Sequence, residues 1–116
     1  KDEYEKVYPS EHSRLGDPHL ELSKLYLKTE KLDKAEENVL LAREIYSQSL
    51  PDGNVKRAVT ASVYGEILSI KGEVEKADSL LIDGYNTLKN LFNEEDGRVA
   101  EAAFALQQHQ SRHQLK

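Results

Sequence analysis

Residues 31–42 read KLDKAEENVLLA and residues 73–84 read EVEKADSLLIDG. The second segment lies 42 residues after the first and repeats its pattern of small and large side chains. Ala77 stands where Ala35 stood, and Gly84 where Ala42 stood; Lys76, Leu81 and Ile82 answer Lys34, Val39 and Leu40. The same step aligns Leu22 with Tyr64 and Leu106, and His19 with Ala61 and Ala103. Self-similarity at a fixed period of this size predicts a stacked array of helical units, because one unit cannot bury its apolar face alone. Small residues seven apart on a helix mark places where two backbones approach too closely for a larger side chain. A glycine inside a helix costs about 1 kcal/mol against alanine, so Gly84 is read as a packing requirement.

The spacing of apolar residues supports helices throughout. Asp2 to Tyr8 is helix-permissive and Pro9 stops it. Asp17 followed by Pro18 predicts the next start, with the carboxylate as cap and proline at the first helical position. Lys31 and Leu32 are read as a tight turn. Asp33 to about Ser49 then carries Ala35, Val39, Ala42, Ile45 and Tyr46 at three- and four-residue spacing. Leu50 to Asn54 reads as a loop. A helix from about Val55 to Lys71 ends on Gly72. Another runs from Glu75 to Phe92, and the last spans about Arg98 to Gln110 before a polar tail. No stretch alternates long enough to make a strand. The fold class is therefore all-α, with antiparallel helix-turn-helix repeats stacked in an array. The expected organisation is a single domain. Residues 1–10 are the end of a preceding repeat helix, 14–53 repeat 1, 55–95 repeat 2 and 97–113 a terminal or capping helix.

Composition narrows the function classes. The chain has 116 residues, 38% hydrophobic and 32% charged, and no apolar run approaches the ~18 residues of a membrane span. Its net charge is −5, with bases scattered among acids. Phosphate binding needs a concentrated positive surface, so nucleic acid is not the expected partner, and neither is a membrane. Cysteine is absent, which excludes disulfides and thiolate metal sites. No signal peptide and no Asn-x-Ser/Thr are present, and the cytoplasm is the expected location. Methionine is also absent, which predicts that these residues are a piece of a longer protein.

The residues resemble a known family. Ala35, Val39 and Ala42, with their copy Ala77, Leu81 and Gly84, look like the second helix of a tetratricopeptide repeat. Leu22, Ser23 and Tyr26, then Tyr64, Gly65 and Leu68, look like its first helix. Gly72 falls at the repeat's turn, where the first copy has Glu30. The period of 42 residues resembles the kinesin light chain type rather than the commoner form of about 34 residues. EKVYPSEHSRL, residues 5–15, is similar to that family's linker, with Glu11-His12 in place and Ser13 where a proline is usual. The chain also resembles the last repeats of bacterial signalling proteins, including serine/threonine kinases.

The resemblance implies repeats stacked in a right-handed superhelix, and a protein-interaction scaffold that binds a peptide or partner domain on its concave face. That face would include Leu20, Lys24, Leu27 and Lys28 from the first repeat and Ser62, Glu66, Ser69 and Ile70 from the second. Glu101, Phe104, Gln108 and Arg112 would come from the last helix. The family's asparagines are missing: Leu20-Glu21-Leu22 stands in their place. Lys24 and Lys28, one helical turn apart, are the candidates for holding a carboxylate. Two other readings are a structural cap of a longer array and a regulatory sensor attached to a signalling domain. An apolar edge around Leu20, Leu25 and Tyr26 predicts self-association.

Chemistry is not indicated. No GxxxxGK, GxGxxG or GxSxG occurs, and no catalytic residue, cofactor or metal is expected. His109 and His113 share a helical face but lack a third ligand, and the tail SRHQLK is expected to fray. Glu36-Glu37 and Glu94-Glu95-Asp96 read as solvated acids.

Overall fold

The structure is a computed structural model that describes residues 12–115. The expected helix over residues 1–10 lies outside the described residues. Within them the chain is all-helical. A 3-10 turn, Arg14–Gly16, leads into α1 (Asp17–Lys28), α2 (Leu32–Ser49), α3 (Val55–Lys71), α4 (Val74–Leu91) and α5 (Gly97–Arg112). Each helix packs against the next, and α3 also meets α1 and α5. Thus α3 touches all four others, which is why it buries residues on several sides, from Ala58 to Ser69. None of these helices is long and apolar enough to cross a membrane.

The helix ends repeat as closely as the apolar pattern does. Asn54 caps α3 by accepting from Lys56 N at 2.8 Å, and Asp96 caps α5 by accepting from Arg98 N at 2.8 Å. At the other end, Glu30, Gly72 and Gln114 all take left-handed backbone, with φ of 64°, 93° and 57°. Each closes the same pair of hydrogen bonds. The wide bonds run from Lys31 N to Tyr26 O, Glu73 N to Leu68 O and Leu115 N to Gln110 O, at 2.8, 2.9 and 2.8 Å. This doubly bonded stop satisfies carbonyls that the helix leaves orphaned. Only the middle copy carries glycine, the residue that adopts positive φ without strain.

The structure corrects several local expectations. Asp17 does not cap α1. Gly16 occupies that place with no side-chain bond, and the Asp17 carboxylate instead accepts from the Tyr46 hydroxyl and from Lys56 Nζ. Leu32 is the first residue of α2, and the turn falls at Thr29–Lys31. Helix continues past Gln110 to Arg112, and a bonded turn extends through Leu115. Glu36 is not free in solvent. With Asp33 it holds Lys71 Nζ at 2.6 and 2.8 Å, which ties the start of α2 to the end of α3.

The small residues sit at the helix crossings. Ala35, Ala42 and Ala77 are fully buried. A Cβ added to Gly84 would lie 2.9 Å from the Ala58 carbonyl oxygen and 3.3 Å from Ser62 N. At Gly65 it would lie 2.8 Å from Leu81 Cγ. The positions that align with Gly65 and Leu81 are Ser23 and Val39, both fully buried. The first crossing thus has a larger residue on one helix and a smaller one on the other, a volume-conserving exchange of the kind cores tolerate. Two aligned positions depart from burial: Leu22 is 39% exposed and Leu25 54% exposed, and both face away from the core that holds Leu20.

Candidate functional site

α1, α3 and α5 converge on a cavity of about 380 Å³. Its apolar walls come from Leu20 on α1, Val59 and Val63 on α3, Leu88 on α4 and Ala102 on α5. Charged side chains surround these: Asp17, Glu21 and Lys24 from α1, Lys56 and Glu66 from α3, Arg98 and Glu101 from α5.

The cations of this rim are largely engaged within the chain. Lys56 lies 3.1 Å from Asp17. Arg98 forks onto Asp96 at 2.8 and 3.0 Å and stacks 3.9 Å from the Phe92 ring centre. Bonds from the Arg98 side chain and backbone N–H hold the Asp96 carboxyl down to about 2. Lys24 stands 3.6 Å from Glu21, one turn away. Burial pushes the Asp17 carboxyl up, but the bonds from Tyr46 and Lys56 outweigh it and leave the group below its ordinary range. Burial raises the Tyr46 hydroxyl, and its bond to Asp17 raises it further.

Glu66 differs. It is half-buried and makes no hydrogen bond or ion pair among the described residues. Burial raises its carboxyl; Arg112 partly offsets this, and the like charge of Glu101 adds to it.

Of the residues expected on the concave face, Leu20, Lys24, Ser62, Glu66 and Glu101 line this cavity. Leu27 packs on the core instead. Lys28, Ile70, Phe104 and Gln108 are exposed outside its lining, Phe104 by 59%. Lys24 and Lys28 therefore do not form a pair in the cavity. Ser69 is fully buried, and Arg112 donates to its hydroxyl at 2.6 Å. Asp17, Glu21, Lys56, Val59, Val63 and Arg98 escaped sequence reasoning. The repeat itself carried the signal, since Asp17 aligns with Val59 and Glu101, Leu20 with Ser62, Lys24 with Glu66, and Lys56 with Arg98. The cavity lies nearer the N-terminal ends of α1, α3 and α5 than Lys28, Ile70 and Phe104 do.

A buried polar cluster closes the α3–α5 contact. His109 is fully buried, with Nδ1 2.7 Å from Ser69 Oγ. Ser69 Oγ accepts from Arg112, so its own proton goes to Nδ1, and this network assigns the imidazole proton to Nε2. Nε2 lies 3.4 Å from Asp78 Oδ1 but is not aligned for a hydrogen bond. Burial lowers His109 below the ordinary imidazole range; Asp78 opposes that shift, and His113 and Arg112 reinforce it. Serine, histidine and aspartate thus meet, but the hydroxyl and ring are sealed from any substrate. His113 stacks edge-on at 5.1 Å and turns its Nε2 to the Ser69 carbonyl oxygen at 2.9 Å. Among the described residues no three His, Cys, Asp or Glu side chains are grouped to hold a metal.

A larger cavity of about 800 Å³ lies between α2 and α4, over the N-terminal half of α3, and is lined by polar groups including Arg43, Asn86 and Asn90. Comparisons with family models, with curated proteins and with solved structures find no match.

Proposed function

We propose that the chain is a protein-interaction module of the tetratricopeptide type, which binds an extended peptide in the groove between α1, α3 and α5. One observation carries this reading: residues at equivalent places of three successive units, such as Asp17, Val59 and Glu101, line a single groove. Apolar walls within a charged rim suit a peptide, whose side chains alternate in character and whose backbone needs polar neighbours. The repeated caps and stops support a regular array, as does the elongated shape of 51 × 32 × 22 Å. In such arrays, curvature produces an extended concave surface used for binding.

A second reading concerns α5, and the glutamines favour it. Gln107 occupies the position of Gly65, and Gln110 that of Leu68. Gln107 is exposed and Gln110 only half-buried, so the face of α5 that corresponds to the α3 face under α4 carries polar side chains. In this reading α5 presents water with a polar face and caps the array, while its other side completes the groove.

The test blocks the groove without touching the core. Lys24→Trp with Glu101→Trp places two indoles on its rim. A fluorescent pool of degenerate nine-residue peptides is expected to bind the double variant at least about tenfold more weakly than the original chain. The helical circular dichroism is expected to be unchanged. Equal binding by both proteins moves the site elsewhere, with the α2–α4 cavity the first alternative.

A further inference from the structure

The groove's charges are unevenly satisfied, and the imbalance names a partner. Four acids line it, Asp17, Glu21, Glu66 and Glu101, against three bases, Lys24, Lys56 and Arg98. Each base already faces an acid of this chain: Lys24 faces Glu21, Lys56 faces Asp17, and Arg98 is held by Asp96, which stands outside the lining. Asp17 and Glu21 are the acids so used. Glu66 and Glu101 are left over, on α3 and α5, with no ion pair among the described residues. Arg112, the cation that acts on Glu66 from a distance, spends a guanidinium N–H on Ser69 Oγ.

A half-buried carboxylate without a partner is costly, and a cation brought by a ligand removes the cost. Beside these acids lie Leu20, Val59 and Val63, which offer apolar contact to the methylene stem of a long basic side chain or to an apolar neighbour. We propose that the groove is selective for a peptide segment carrying an arginine or lysine, whose charged head sits between Glu66 and Glu101 while flanking apolar residues cover Leu20 and Val59. This deepens the peptide-binding reading and rests on it. The assignment is opposite in sign to a carboxylate clamp built on Lys24 and Lys28.

Three pools of nine-residue peptides, degenerate except for a central arginine, leucine or glutamate, provide the test by fluorescence anisotropy. The arginine pool is expected to bind about tenfold or more tightly than the glutamate pool, with the leucine pool between them. Glu66→Gln with Glu101→Gln, both close in shape to the original, is expected to bring the arginine pool down to the leucine pool, with circular dichroism unchanged. The preference is also expected to shrink as salt rises. Arginine and glutamate pools binding alike, or a preference that survives the double variant, overturns the charge assignment while leaving peptide binding standing. Failure of every pool to bind overturns both.

Discussion

Gly84→Leu is expected to lower the stability of the chain by about 3 kcal/mol or more, enough to move the melting temperature down by about 10 °C or more. The cause is steric and local. A Cβ at this point already stands 2.9 Å from the carbonyl oxygen of Ala58, a backbone atom that cannot rotate away. Three further carbons force α4 off α3, the helix that packs against all four other α-helices. Gly84→Ala isolates the first carbon. It gains about 1 kcal/mol of helix propensity and still pays the clash, so the net loss is expected to be small but real. Gly97→Ala is the control, because a Cβ there meets nothing within 4 Å. It is expected to leave the melting temperature unchanged or slightly raised. Equal tolerance of leucine at Gly84 would contradict the close crossing.

His109→Ala is expected to cost about 3 kcal/mol at neutral pH and to alter the acid side of the stability curve. The imidazole is fully buried, and its loss leaves a cavity and deprives Ser69 of its hydroxyl acceptor. The pH effect follows from the lowered position of the folded imidazole. Asp78 faces the ring from α4 and Ser69 from α3, while Arg112 ends its own helix and His113 follows directly after it. The unfolded chain takes up a proton near the ordinary value of about 6.5, while the folded chain resists until lower pH. Between these points the unfolded state binds more protons, so stability rises with pH and is lost on acidification. Glu66 works with the opposite sign: its raised carboxyl contributes stability at low pH that is lost as pH rises above the ordinary value. Denaturant midpoints at pH 7.5 and 5.5 separate the two. The original chain is expected to lose more stability on acidification than His109→Ala, and an equal loss would remove His109 as the cause.

The all-helical character was legible because it rests on local signals. Apolar spacing of three and four residues, Gly72 as a stop and the paired small residues all act within one or two turns. The crossings at Ala77 and Gly84 could be read because steric exclusion leaves a direct mark on composition. The groove was harder. Its lining depends on how far each helix rotates and slides against its neighbours, so of the expected positions Ser69 is buried against α5 and Ile70 is exposed outside the groove. Asp17 shows a second difficulty. As a residue before Pro18 it had a local role available, and a tertiary bond to Tyr46 displaced that role. The sequence did hold one overlooked clue to the buried cluster. Val99, Ala102, Ala105 and His109 follow one another at three- and four-residue spacing, and all four are buried. A histidine on that stripe belongs to the interior.

The most direct test of the central claim maps binding onto the fold. Backbone amide shifts of the isotopically labelled chain, recorded while the degenerate peptide pool is added, report which residues meet ligand. The account expects the largest changes at residues that line the α1–α3–α5 groove, including Leu20, Lys24, Val59, Ser62, Glu66 and Glu101. Changes confined to Arg43, Asn86 and Asn90 in the α2–α4 cavity, or no changes at all, would contradict it.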